Sequence, residues 1–486
     1  MPARRDTARY VAALALLLSF APSLMRRTSR EQLAISAGAA ALGAAAGTAT
    51  ETLVVQLARR GRGGETAARL TIAAAGAAAA AMGLERRGRL VALAGTAARV
   101  AGISALLGWV APERRRVTGF DPLPLAAAGA LAVGVKAVRA QRRRRGRRPI
   151  AFPSDGYLPS VSFGPGSAVD PVTLDFEAQR FLDGAVAGCA QDPVRVFVGI
   201  RSAASVGARC DLAIAELERL GGFSRSRVVV CSATLRGYVN PIPIAAAERL
   251  AGGDVAHVTI QYFDRRTPFL WRKVPVAAQT HRVLLGRLAA RLRELEDPPE
   301  LVVYGESLGA WASQKVFEDA GMAGLERRGV ARALWVGTPH LSRLGRALKD
   351  VADPRVAYLR TRDVRERDPE GARALRYVFL ERLTDPVVLF PGLDLLWRRH
   401  ETGGAWAPGI SFLHGLVDLV KATRWTADEP ASAGHDYRVE LPLTVNVAYG
   451  FHRPREGVEA LGQDVLDEEA KRLDRVRKAR REARGD

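Results

Sequence analysis

Leu301-Val302-Val303-Tyr304-Gly305-Glu306-Ser307-Leu308-Gly309-Ala310 is the stretch whose reading decides the fold. Leu301–Tyr304 is a short apolar run of the kind that forms a strand buried on both faces, and the spacing from Ala310 to about Ala320 predicts a helix. Between them lies a G-x-S-x-G, whose small outer residues permit a tight strand-to-helix turn with a serine at its apex. A hydroxyl held there projects from the sheet edge, and the backbone N–H of Leu308 is a candidate oxyanion donor. The pentapeptide alone is a weak motif; the strand on one side and the helix on the other give it weight.

The same alternation extends in both directions. Val194–Ile200, Val228–Cys231 and His257–Phe263 are predicted strands, and Val206–Leu220, Ile244–Leu250 and Gln279–Leu295 predicted helices. Beyond the serine, Ala333–Val336, Val356–Leu359 and Tyr377–Leu380 are further strands. Repeated strand–helix units of this length imply an α/β fold with a mostly parallel sheet covered by helices on both faces. Asp464–Arg484 mixes 8 positive with 6 negative residues at helical spacing and is expected to be a solvated helical tail.

A serine hydroxyl needs a base to take its proton and a carboxylate to orient that base, in the chain order Ser, acid, His for this architecture. The chain has 7 histidines. His257 and His281 precede the serine, His400 and His414 have settings typical of structural or solvated residues, and His452 comes very late in the chain. His435, in Ser432-Ala433-Gly434-His435-Asp436-Tyr437, is the preferred base, because the small residues before it form a loop that can reach over a site. His340, in Gly337-Thr338-Pro339-His340, is the reserve base or a substrate contact. Asp385, in Leu383-Thr384-Asp385-Pro386, follows a late strand and is the preferred acid, with Asp394 as fallback. The second oxyanion donor is expected from Ala233 or Thr234, after the strand two before the serine. Glu306 is expected to be a satisfied side chain of the turn or a polar group of the pocket, outside the triad.

The net charge of +21 is unevenly spread. Residues 1–150 hold 25 Lys+Arg against 7 Asp+Glu, a net of +18, and the remainder holds 47 against 44, a net of +3. The excess therefore flanks the apolar blocks Tyr10–Met25, Leu33–Thr50, Leu70–Leu84, Leu90–Ala111 and Pro122–Val138. It does not form a nucleic-acid arm, which would interleave aromatics. Spanning a bilayer takes about 20 apolar residues, and these Ala- and Gly-rich blocks can pack closely. The expected organisation is a membrane domain of four or five helices over 1–148, a linker or lead-in over 149–175, a catalytic domain over 176–462 and the tail over 463–486. The eight positive residues of Lys136–Arg148 place the catalytic domain on the cytoplasmic side. The 3 cysteines, Cys189, Cys210 and Cys231, have no metal-binding or disulfide spacing.

Taken together, Tyr304–Gly309, Trp335-Val336-Gly337-Thr338-Pro339-His340, Asp385-Pro386-Val387-Val388, Asp394–Arg399 and Gly434-His435-Asp436-Tyr437 resemble the actinobacterial membrane-anchored α/β-hydrolases with an N-terminal multi-span domain. The resemblance covers nearly the whole chain. It implies an α/β-hydrolase fold with Ser307 as nucleophile and Asp385 and His435 as its partners. The expected activity is hydrolysis of a lipid-like or amphipathic carboxylic ester at the bilayer through an acyl-serine, with no metal or organic cofactor and no nucleic acid. A thioesterase or acyltransferase would share this chemistry, and a non-catalytic membrane scaffold would keep only the fold. Protease added outside sealed, right-side-out vesicles should leave the C-terminal domain intact; digestion from that side would reverse the orientation.

Overall fold

Strand residues alternate between the two faces of a sheet, and here both sets are apolar. The computed structural model describes residues 2–21, 28–60, 64–81, 94, 96–106, 159–170, 173, 175–183, 189–234, 236–264, 270–360, 363–364, 372–392, 395, 407, 409–422 and 434–482. Among them, seven strands form one parallel sheet: β1 (Val194–Val198), β2 (Arg227–Ser232), β3 (Ala256–Ile260), β4 (Glu300–Glu306), β5 (Val330–Val336), β6 (Val356–Leu359) and β7 (Tyr377–Leu380). Their spatial order is β1-β3-β2-β4-β5-β7-β6, which puts the strand leading into Ser307 at the centre. Val229, Cys231, Val302, Tyr304, Leu334 and Val336 join the core on one face. Their neighbours Val228, Val230, Leu301, Val303, Ala333 and Trp335 join the core on the other.

The helices, in chain order, are α1 (Pro2–Leu18), α2 (Ser29–Arg60), α3 (Gly64–Ala81) and α4 (Thr96–Leu106). Around the sheet come α5 (Phe176–Asp183), α6 (Val206–Arg219), α7 (Pro241–Leu250), α8 (Val274–Leu292), α9 (Leu308–Gln314), α10 (Gly321–Arg327), α11 (Arg343–Lys349) and α12 (Pro386–Leu389). The last three are α13 (Ile410–Ala422), α14 (Leu441–Ala448) and α15 (Arg455–Glu482). Two of them start earlier than their periodicity suggested, because a proline is well placed in a first helical turn. Asn240 caps α7 through Oδ1, which accepts from the Ile242 amide at 3.1 Å, and Pro275 sits in the first turn of α8.

The chain divides into two compact units, Met1–Arg148 with Leu389–Thr423, and Pro149–Val388 with Arg424–Asp486. Two expectations are corrected. First, Leu389–Thr423, expected inside the catalytic domain, belongs to the helical unit, because α13 packs on α2 with a Lys421–Glu31 ion pair of 3.0 Å. Second, the charged tail is no separate solvated helix. It is the latter part of α15, whose Val458, Val465 and Leu473 are buried, and Glu469 bonds the buried Arg180 of α5 at 3.1 Å. Within the lead-in, Val161 pairs with Arg195 of β1 in a parallel bridge.

In the helical unit, Glu31–Arg60 is long and apolar enough to cross a bilayer, while Thr7–Leu18 and Thr96–Leu106 are apolar but shorter. Only one such span therefore stands among the described residues against the four or five expected. Pro122–Val138 and the whole Lys136–Arg148 stretch fall outside the described residues.

Beneath the sheet lies a fully buried ion pair. Arg195 of β1 grips Glu248 of α7 through Nε at 2.6 Å and an Nη at 2.7 Å, with the buried His257 of β3 3.6 Å from the same carboxylate. Burying the pair is offset by the mutual attraction of its charges, whereas one charge left without its partner is strongly destabilising. Glu248→Ala should therefore destabilise the sheet unit by about 3–5 kcal/mol, read from urea unfolding followed by tryptophan fluorescence. A loss under 1 kcal/mol would show that water reaches Arg195.

Candidate active site

The turn after β4 is where the backbone departs from ordinary geometry. Ser307 has φ 55° and ψ −122°, and of the described residues only Phe163 and His452 are other non-glycines with positive φ. Such a conformation costs about 1–3 kcal/mol and persists only where the surroundings enforce it. The enforcement is visible. The Ser307 amide donates to Val336 O at 2.8 Å, and the Ser307 carbonyl accepts from the Trp311 amide at 3.1 Å. At Gly309 a side chain is excluded outright, because a Cβ there would lie 2.1 Å from the Ser232 carbonyl oxygen.

Register brings three loops together at the carboxyl ends of the central strands. Ser232 pairs with Gly305 and Glu306 with Val336, so the chain leaving β2, β4 and β5 emerges side by side. The β2 loop is pinned by a buried hydroxyl: Ser232 Oγ lies 2.7 Å from His281 Nε2 of α8 and donates to Gly309 O at 2.7 Å. Leu308 is the first residue of α9, so its amide has no intrahelical acceptor. Of the two candidates for the second donor, Thr234 is committed elsewhere, since its amide donates to Tyr238 O at 2.7 Å. A two-residue antiparallel bridge with Tyr238 takes it, which leaves Ala233, fully buried against the turn.

Asp385 and His435 meet. His435 Nδ1–H donates to Asp385 Oδ2 at 2.6 Å, a direction fixed by the acceptor-only carboxylate. Asp385 is fully buried; its Oδ1 accepts from the Val387 amide at 2.8 Å, the first turn of α12. Its Oδ2 accepts a second bond, from the Tyr437 hydroxyl at 2.6 Å. His435 Nε2 is buried and has no hydrogen-bond partner among the described residues. The imidazole leans on the β5 loop: Gly337 has φ 55°, and a Cβ there would lie 2.7 Å from His435 Cε1. Gly337 directly follows Val336, whose carbonyl holds the Ser307 amide, so histidine and serine flank the same short piece of backbone.

His340 lies on that loop, its amide donating to Val387 O at 3.2 Å. The Asp385 carboxylate is nonetheless taken by His435, Tyr437 and the Val387 amide. Glu306 points to a different set of partners, accepting at Oε2 from Asn240 Nδ2 and from the Tyr304 hydroxyl, both at 2.9 Å. Asp394 lies outside the described residues. Tyr437 and Asn240 were given no role from sequence. Tyr437 stands two residues after His435, and that spacing in Gly434-His435-Asp436-Tyr437 was the available signal.

Electrostatics sort the groups. Burial pushes the His435 imidazole down, but Asp385 outweighs it, with smaller help from Glu306 and Asp436, and the net shift is upward. Burial raises the Glu306 carboxyl above its usual range, against the lowering influence of Asn240, His435 and Tyr304. Burial, then the Asp385 charge, raises the Tyr437 phenol, which stays a proton donor to that carboxylate. The described residues hold no group of three or more His, Cys, Asp or Glu side chains placed to bind a metal.

A family model described as the alpha/beta-hydrolase family matches residues 194–449, from β1 to the end of α14. No curated protein matches the chain, and no solved structure does.

His281 also supplies a pH test. Burial lowers its pKa to about 4 from 6.5. Between those values the unfolded chain takes up a proton that the folded chain refuses, so stability falls as pH drops through the window. Going from pH 7.5 to 4.5, wild type should lose about 2–3 kcal/mol more than His281→Gln, compared by urea unfolding. Equal losses would show that His281 is protonated without disturbing the fold.

Proposed function

The chain belongs to the α/β-hydrolase family, and from that footing we propose that it is a membrane-bound serine hydrolase acting on a lipid-like or amphipathic carboxylic ester. The observation that carries the reading is the Asp385–His435 bond at 2.6 Å, which leaves a buried Nε2 with no hydrogen-bond partner among the described residues, on an imidazole packed against Gly337, the residue after the Val336 carbonyl that holds the Ser307 amide. An imidazole held by one nitrogen and free at the other is arranged to accept a proton and return it.

In the proposed cycle, Ser307 Oγ attacks the ester carbonyl as His435 Nε2 takes its proton. The amides of Leu308 and Ala233 receive the charge that develops on the carbonyl oxygen. His435 then protonates the departing alcohol, leaving an acyl-serine. Water, deprotonated by the same nitrogen, releases the acid and restores the hydroxyl. Asp385 keeps the imidazole in the tautomer that presents Nε2 and stabilises the imidazolium, while Tyr437 and the Val387 amide hold the carboxylate in place. The upward shift of His435 implies that activity is lost on acidification, as the base becomes protonated.

Location in the bilayer is part of the proposal. Its support is the apolar length of Glu31–Arg60 and the polarity of the helical unit, in which Thr7, Glu51 and Arg69 are buried while Leu42, Leu53 and Leu70 are exposed. Glu51 and Arg69 pair inside that unit through two bonds of 2.5 and 2.8 Å, which is how charge is tolerated among membrane helices. The cytoplasmic side, from the Lys136–Arg148 cluster, belongs to the same proposal.

A fluorophosphonate probe tests the reaction class. Covalent labelling of the detergent-solubilised wild type is expected, with none in Ser307→Ala. Asp385→Asn should keep the fold and lower ester turnover by about 10³–10⁴-fold. Undiminished labelling of Ser307→Ala, or near-normal turnover in Asp385→Asn, would overturn the proposal.

A further inference from the structure

α13 lies in sequence between Asp385 and His435, yet it packs along α2 in an antiparallel register. A Cβ built on Gly409 would meet the Leu42 side chain at 3.1 Å, and one on Gly38 would meet Leu413 at 3.0 Å. At the other end Lys421 Nζ bonds Glu31 Oε2 at 3.0 Å. The pairs 409/42, 413/38 and 421/31 advance in step, so one helix face follows the other. His414 Nε2 adds a contact of 3.0 Å to Ser19 O, at the end of α1.

The polarity of α13 is the reverse of a water-facing helix. His414 and Asp418, one turn apart, are 8% and 1% exposed, whereas Leu416 and Val420, also one turn apart, are 39% and 42% exposed. Lys421, its remaining charged residue, sits at the C-terminal end in the pair with Glu31. In water the apolar stripe would face the protein and the polar residues the solvent. α2 shares the inversion, with Ser36, Thr50 and Glu51 buried and Leu33, Leu42 and Leu53 exposed.

We propose that α13 is a re-entrant helix embedded in lipid alongside α2, with Leu416 and Val420 against acyl chains. The proposal rests on the membrane reading given above. At 1.5 Å per residue, its 13 residues span about 20 Å, short of the ~30 Å hydrocarbon core. In sequence α13 is preceded and followed by residues of the sheet unit, so a helix inserted between them enters and leaves through one face of the bilayer. The Lys421–Glu31 pair marks the interfacial end. Leu42 lies about 16 Å further along α2, which sets the opposite end of α13 near the midplane. There the Ala407 amide donates to Ser411 Oγ at 2.9 Å, satisfying a backbone group that lipid would leave bare.

Depth-dependent quenching tests this on the full chain. In a Cys189→Ser background, with Cys210 and Cys231 buried, Leu416→Cys, Leu53→Cys and Val276→Cys would each carry an NBD label in phosphatidylethanolamine/phosphatidylglycerol vesicles. Lipids with nitroxides on their acyl chains should quench positions 416 and 53 at least two-fold and leave 276, on the sheet unit, unchanged. Val420→Cys serves if the first variant fails to fold. Quenching at 53 without 416 overturns the re-entrant helix and leaves the membrane reading standing. Quenching at neither overturns both, and quenching at 416 without 53 overturns the proposed side-by-side placement.

Discussion

A serine with φ 55° is the constraint around which the sheet unit is organised. A non-glycine residue does not hold that conformation unless its neighbours leave no alternative. Here β5 supplies an acceptor for the serine amide, and the Ser232 carbonyl presses so close to Gly309 that nothing larger than hydrogen fits. Ser232 is fixed in turn by His281 from α8. The central strand, its two neighbours and a helix beyond them thus converge on one dihedral angle, which is why the site sits at the middle of the sheet and not at its edge.

The second organising interaction is the Asp385–His435 bond. Taking a carboxylate fully out of water is costly unless its lone pairs are used, and three donors use them: the Val387 amide, His435 Nδ1 and the Tyr437 hydroxyl. Arg382 then lies over the Tyr437 ring at 5.0 Å, its amide bonds the Tyr437 hydroxyl at 3.2 Å, and its guanidinium bonds Glu440 at 2.6 Å. The proposed base is therefore held through a chain of contacts reaching the start of α14. The same logic explains the buried Arg195–Glu248 pair, where each charge is tolerable only because of the other.

The central strands were legible because they are short β-branched runs that must be buried on both faces, and the turn because its glycines frame a serine between strand and helix. Asp385 and His435 were legible as candidates through chain order and loop composition, and the structure brings them within hydrogen-bond distance. The role of Tyr437 was hidden, since a tyrosine near a helix start reads equally well as core. The committed Thr234 amide was hidden too, because it depends on a bridge to Tyr238 that no periodicity announces. In α15 the dense charges of Asp464–Arg484 masked the buried Val465 and Leu473. α13 was the hardest to read. Its partner lies more than 350 residues earlier, and its polar residues face inward, so its composition resembles an ordinary core helix of the domain in which it is embedded in sequence.

The charge asymmetry follows the division into units: a near-neutral sheet with a proposed hydrolytic site, and an arginine-flanked helical unit with buried polar and exposed apolar residues. The most direct measurement is the mass of the Ser307 peptide after rapid acid quench of the vesicle-reconstituted protein mixed with a short-chain 4-nitrophenyl ester. An acyl adduct on Ser307, formed within the initial burst of nitrophenol, is the expected result. Turnover of the ester with the adduct on another residue, or with none at any time, would contradict it.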